Sequence, residues 1–277
     1  AALAADQFVC AEGWRAELTL EGPVAVAMTG NNSAVFPDVY GRWIPLVQTF
    51  DRLGRPRGPA AALVLNYAGP YAGSHWGFVG VTNRDLFDGS QPALDRLFVA
   101  ACRRLLAPSY LTALRSRYAS YRPGETVALA ARVSAPEPAP ALTVRFQIDG
   151  KVVAEQPVAD GAARAAWPLP QTGPAFHELA AELLLDGQPV DVMRSGFTVA
   201  DAALMTQTGP RVKAEGNYFT FDGRPRFFGG ANTTGMMWYS DNEDPLVWRR
   251  DFERMGDFAM DALRILHFSP FCNATNP

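Results

Sequence analysis

At 277 residues and 48% apolar content, with a formal net charge of −3, the chain is long enough for about two domains with real cores. It carries no basic stripe of the kind that binds nucleic acid, and no run of about 18 apolar residues that would span a membrane. Its three cysteines, Cys10, Cys102 and Cys272, lie far apart and form neither a disulfide framework nor a metal-ligand spacing, so no metal and no cofactor are expected.

The start, Ala1-Ala-Leu-Ala-Ala5, lacks an initiator Met and the layout of a signal peptide, so both ends are expected to be cut rather than natural. The first block, residues 1–115, opens with an apolar run at Pro23–Met28 and an irregular stretch to Pro37. Strands are expected at Trp43–Phe50, Ala60–Tyr67 and Trp76–Val81, with turns at Asp51-Arg-Leu-Gly54 and Arg57-Gly58. Leu94, Leu97, Phe98, Ala101 and Leu105 recur at helical spacing and predict a helix over Gln91–Leu106.

The second block, residues 118–200, alternates at period two. Val127, Leu129, Ala131 and Val133 lead, followed by Leu142, Val144, Phe146 and Ile148. Further strands are expected at Val152–Val158, Ala162–Leu169, His177–Leu185 and Asp191–Val199. Asp149-Gly150 and Asp186-Gly187 are hairpin signals. Six or seven short strands at this spacing predict an antiparallel sandwich that folds on its own.

The third block, residues 210–277, follows a polar linker at Asp201–Gly209. A short hairpin is expected at Val212–Lys213 and Tyr218–Thr220, a turn at Asp222-Gly223, and a strand at Arg226–Gly230. Asp244-Pro245 reads as a helix start, with Asp as cap and Pro at the first helical position. Trp248, Phe252, Met255 and Ala259 mark the face expected to be buried, and Asp261–Phe268 is the next strand. Strand, helix and strand at this spacing make one βαβ unit.

The string Phe219-Thr-Phe-Asp-Gly-Arg-Pro-Arg-Phe-Phe-Gly-Gly-Ala-Asn232 is similar to the start of the catalytic barrels of clan A glycoside hydrolases, among them β-galactosidase, β-glucuronidase, β-mannanase and cellulase relatives. These continue after the first helix with a Gly-Ala-Asn-x-x-Arg-like strand. Here it is Ala259-Met-Asp-Ala-Leu-Arg264, with Ala259 where Gly is usual and Asp261 where Asn is usual. The resemblance implies a (β/α)₈ barrel begun by its first βαβ unit and a retaining cleavage of O-glycosidic bonds. The two carboxylates of that chemistry sit on later strands in such barrels, so this chain is expected to lack them and to be inactive alone.

The resemblance also implies that Arg264 supports the nucleophile, since a guanidinium orients a carboxylate and favours its ionised form. His267 and Asn232 are implied to bind sugar hydroxyls. Trp238 and Tyr239, in the loop Gly235-Met-Met-Trp-Tyr-Ser-Asp-Asn242, are implied to stack on sugar faces. Each of these also has a bland reading: a salt-bridged Arg, a packing His, or a loop packed on a neighbouring domain.

In the first block, Arg42-Trp-Ile-Pro-Leu46, Asp51-Arg-Leu-Gly-Arg-Pro-Arg-Gly58 and Gly73-Ser-His-Trp-Gly-Phe-Val-Gly80 resemble the C-terminal part of class I glutamine amidotransferase-like domains fused to large bacterial glycosidases. No Gly-x-Cys-x-Gly nucleophile elbow accompanies Cys10 or His75, so no amidotransferase activity is expected. The sandwich resembles immunoglobulin-like spacers. The expected fold class is therefore multidomain: a partial α/β amidotransferase-like domain, an immunoglobulin-like β-sandwich and the start of a (β/α)₈ barrel. The expected partner is a carbohydrate substrate. The alternative function is a non-catalytic carbohydrate-binding or scaffold protein. No targeting signal sets localisation; the family resemblance leaves an extracellular or periplasmic setting open.

Overall fold

The computed structural model describes residues 2–3, 41–81, 88–89, 92–200, 212–234 and 245–266. The expected strand at Pro23–Met28, Cys10 and Cys272 lie outside the described residues.

The first sheet has the order β1 (Ala2–Leu3), β2 (Gly41–Phe50), β3 (Pro56–Asn66), β4 (His75–Val79), and each neighbouring pair is antiparallel. Strand β2 alternates until Pro45, which has no N–H to give the ladder. The register slips between Pro45 and Val47, and Leu46 and Val47 are then buried in succession. The β2–β3 turn is built on Asp51, whose Oδ1 accepts the backbone N–H groups of Leu53 at 2.8 Å and Arg55 at 3.1 Å. Helix α1 (Pro92–Leu106) lays Leu94, Leu97 and Ala101 against Ile44, Leu63 and Leu65 of the sheet. Phe98, expected on the buried face, is 46% exposed, because it sits at the edge of that stripe, beside an apolar cavity of about 260 Å³.

The second block is a sandwich of two sheets. One sheet has the order β10 (Ala162–Pro168), β7 (Thr126–Ser134), β5 (Tyr110–Ser116). The other has the order β6 (Ser120–Tyr121), β12 (Gln188–Val199), β11 (Phe176–Leu185), β8 (Leu142–Ile148), β9 (Lys151–Pro157). Strands β7 and β8 bury alternate residues, as period-two patterning requires. Trp167 of β10 meets His177 of β11 edge-on at 5.4 Å, and His177 stacks on Phe197 of β12 at 5.2 Å, so rings from both sheets close the interior. Strand β5 corrects the sequence reading, which ended the first block at residue 115 and saw no strand there. Tyr110, Leu111 and Leu114 are buried on a strand of the sandwich sheet.

Four Asp-Gly turns share one backbone. Asp149, Asp160, Asp186 and Asp222 have φ of 50, 50, 50 and 51°, and Gly150, Gly161, Gly187 and Gly223 have φ of 75, 69, 76 and 73°. Two successive positive φ values are what a type I′ hairpin needs, and Asp-Gly supplies them at low cost.

By compactness the chain divides into one unit of residues 1–114, 129–165 and 180–194 and another of residues 115–128, 166–179 and 195–277. The first unit has a buried charge cluster. Asp191 Oδ2 accepts from Arg42 Nη1 at 2.6 Å, from Arg104 Nη2 at 3.1 Å and from the Leu111 N–H at 2.8 Å. Arg42 also donates to the carbonyls of Leu111 and Val192. All three charged side chains are at least 95% buried. Burial pushes the Arg104 guanidinium below its ordinary pKa and Arg42 adds to this, while Asp191 opposes both.

In the second unit, β13 (Val212–Glu215), β14 (Tyr218–Phe221) and β15 (Arg224–Pro225) form a small antiparallel sheet. The strand expected at Arg226–Gly230 begins only at its last residue: β16 is Gly230–Thr234. Pro225 has no N–H, and the Arg226 N–H turns back to the Phe219 carbonyl at 2.9 Å, so the backbone here still serves the hairpin. Helix α2 (Pro245–Asp257) starts at Pro245 as expected, and β17 (Ala262–Leu266) follows. The face expected to be buried is not: Trp248 and Met255 are half-buried, Phe252 is 46% exposed, and Ala259 lies beyond the helix.

Candidate functional site

Strands β16 and β17 are parallel and joined through α2, so both end on the same side. The pair begins with an unusually close approach. A Cβ on Gly230 would stand 2.2 Å from the Ala262 carbonyl oxygen, so only glycine fits. The Asp261 and Ala262 N–H groups both donate to the Gly229 carbonyl, at 2.9 and 3.2 Å, and hold the start of the ladder.

Two residues up from Gly230, Asn232 pairs in register with Arg264. Adjacent strands lie about 4.8 Å apart, so two of the sequence-predicted site residues are brought side by side. Each is the central residue of its five-residue strand. Asn232 is exposed. The other expected site residues, Trp238, Tyr239 and His267, lie outside the described residues.

Both departures from the glycosidase-like pattern have a local account. Helix α2 ends in a Schellman motif: the Met260 N–H donates to the Met255 carbonyl at 3.0 Å and the Ala259 N–H to the Gly256 carbonyl at 2.9 Å. The residue between helix and tail must be left-handed, and Ala259 has φ 53°. Glycine is usual at such a position because a Cβ there is strained. Asp261 accepts from the Arg226 guanidinium at 2.8 Å, and Arg226 also covers the rings of Phe221 and Phe228 at 5.0 and 5.6 Å. Asp261 therefore fastens the leading hairpin to the N-terminal end of β17, three residues before Arg264.

Sequence reasoning missed a cleft of about 680 Å³ in the same unit. The rings of Phe176, Trp248 and Phe252 line it, with Pro174, Thr198 and Arg249. Trp248 and Phe252 are four residues apart on α2 and so share a face. The Arg249 guanidinium lies 4.8 Å from the Phe176 ring centre, and its Nε donates to Glu253 at 2.9 Å. The signal that could have found it was the Trp248/Phe252 spacing, which also suits a core face.

In the first block, His75 is a packing residue. Its Nδ1 donates to the Leu105 carbonyl at 2.8 Å, and its ring meets Tyr110 edge-on at 5.0 Å. Cys102 lines the apolar cavity between α1 and the sheet.

No family model matches the chain, and no curated protein matches it. Several solved structures are similar to it in part. A beta-glucuronidase of Parabacteroides merdae is 12% identical, with TM-score 0.31, over 58% of this chain and 21% of that one. A putative beta-galactosidase of Bacteroides fragilis is 12% identical, with TM-score 0.32, over 58% of this chain and 27% of that one. An alkylpurine DNA glycosylase of Pseudomonas fluorescens, bound to DNA containing an abasic site analog, is 19% identical, with TM-score 0.26, over 42% of each chain. The chain thus spans between a fifth and two fifths of these solved proteins. Likenesses this slight carry no argument about function, and the names attached to them differ in chemistry.

Proposed function

We propose that this chain is the leading part of a retaining glycoside hydrolase that cleaves O-glycosidic bonds, with its catalytic carboxylates supplied from outside residues 1–277. In this reading the first block, up to α1, forms an amidotransferase-like domain without activity, the sandwich that begins with β5 an immunoglobulin-like spacer, and residues 210–277 the start of a (β/α)₈ barrel. The observation that supports it is the in-register pair Asn232 and Arg264 at the middle of two adjacent parallel strands, as in the strand–helix–strand unit that opens such a barrel. Arg264 would orient the nucleophile carboxylate and keep it ionised. Asn232, Trp238, Tyr239 and His267 would bind the sugar.

The test is hydrolysis of a panel of aryl glycosides and oligosaccharides by the whole protein and by residues 1–277. The whole protein is expected to be active with retention of configuration, and the 277-residue chain to be inert. In the whole protein, Arg264→Lys keeps the charge but loses the bidentate fork. Its loss is expected in kcat rather than KM, by roughly 2–4 kcal/mol of barrier, as for removal of one preorganised donor. A whole protein inert on every substrate overturns the reading, and an unchanged kcat in Arg264→Lys removes Arg264 from it.

A further inference from the structure

We infer that the cleft between α2 and the sandwich strands is a carbohydrate-binding site separate from the paired strands β16 and β17. At about 680 Å³ its volume falls within the range of small-molecule sites, roughly 300–1,000 Å³. Three rings form its walls. Phe176 comes from the first residue of β11, and Trp248 and Phe252 come from the first two turns of α2. Such a concentration of exposed apolar surface marks a surface made to be covered.

The polar groups narrow the class of ligand. Arg249 is held flat by two contacts: the Phe176 ring beneath it at 4.8 Å and the Glu253 carboxylate on its Nε at 2.9 Å. Its remaining donors are thereby preoriented at the cleft, with side-chain exposures of 51% for Arg249 and 62% for Glu253 leaving both reachable. The Thr198 hydroxyl is committed as a donor to the Ala119 carbonyl at 3.0 Å and so presents only lone pairs. The cleft therefore offers flat apolar faces, donors from Arg249, and an acceptor from Thr198.

A sugar ring matches all three. Its C–H face packs on an aromatic ring, and its hydroxyls both donate and accept. A hydrocarbon or plain aromatic would leave the arginine and hydroxyl unused. A small anion would use Arg249 and leave the three rings uncovered. The carbohydrate class rests on the glycosidase reading; the existence of the cleft does not.

The experiment uses the 277-residue chain, which is not expected to hydrolyse anything. Cellohexaose, mannohexaose and a galactohexaose are titrated into it by calorimetry, with the Trp indole N–H signals followed by NMR. Saturable binding of at least one is expected, with one indole signal moving and assigned to Trp248. Trp248→Ala should raise Kd by at least about tenfold, roughly the loss of one stacked ring. Trp248→Phe should restore most of the affinity, and Arg249→Gln should weaken binding with Tm unchanged. Trp76→Ala, an exposed Trp on β4, is the control and should leave Kd as it was. Absence of saturable binding, or binding indifferent to Trp248→Ala, or equal loss in Trp76→Ala, overturns the inference. The two proposals fail separately. A hydrolytic whole protein whose leading chain binds no sugar sinks only the cleft, and sugar binding here with no hydrolysis by the whole protein sinks only the enzyme.

Discussion

Ala259 holds a conformation that its own Cβ disfavours. Its φ of 53° is required because the Schellman bonds from Ala259 and Met260 close the end of α2. Ala259→Gly is therefore expected to stabilise the chain by about 1 kcal/mol, the left-handed penalty less the entropy that glycine adds to the unfolded chain. Thermal unfolding of the two proteins checks it, and a lower Tm for the glycine form would remove the strain argument. Asp51 is the other residue with a definite expectation. Desolvation alone would raise its carboxyl, but backbone N–H bonds from Arg55 and Leu53 and the Arg55 side chain outweigh that and hold it at about 2, below the ordinary 3.8. A depressed carboxylate stabilises the fold above its unfolded pKa, and the contribution is lost as pH falls through about 2. An NMR titration of the Asp51 carboxyl should show its midpoint near that value, and Asp51→Asn should remove this part of the acid dependence.

At the scale of elements, the pairing of β16 with β17 depends on one missing side chain. The atom that a Gly230 Cβ would strike is a backbone oxygen 2.2 Å away, which cannot swing aside as a side chain would. Gly230→Ala is expected to cost about 1–3 kcal/mol by overpacking and to spread the start of the ladder. Hydrogen exchange should then quicken at the Asp261 and Ala262 amides while the sandwich amides keep their protection; unchanged exchange there would count against the close approach. The Asp-Gly hairpins behave oppositely, since each is specified by two adjacent residues and needs nothing from the rest of the molecule. That is why Asp149-Gly150, Asp186-Gly187 and Asp222-Gly223 were legible in the sequence. Strand β5 was not, because Tyr110–Ser116 buries Tyr110, Leu111 and Leu114 without period-two alternation and follows directly on α1, and only its partners show which sheet it serves.

At the scale of the whole molecule, Asp191 decides how far the parts are independent. It belongs to sandwich strand β12, but both of its guanidinium partners come from the first block, Arg42 on β2 and Arg104 on α1. Removing one member of a buried ion cluster costs about 3–5 kcal/mol because the others are left uncompensated. Asp191→Ala is expected to lose that much by urea unfolding. A segment of residues 110–200 keeps β5 and the same carboxylate without either arginine, so it should be markedly less stable than residues 41–200. Equal midpoints for the two segments would mean that the cluster contributes nothing to joining them.

What the sequence determined by itself is local or periodic: the Asp-Gly turns, the period-two strands of the sandwich, the helical stripe of α1, and the Pro245 start of α2. In each, the decisive residues are neighbours along the chain or lie one turn apart, so backbone sterics and patterning suffice. The tertiary structure decided the rest: the onset of β16 at Gly230, the in-register pairing of Asn232 with Arg264, the burial of Asp191 between two arginines, and the opening of the Trp248–Phe252 face into a cleft instead of a core. In these the partner is distant in sequence. Asp191 and Arg42 stand 149 positions apart, and an apolar stripe on a helix reads the same whether another layer covers it or solvent reaches it.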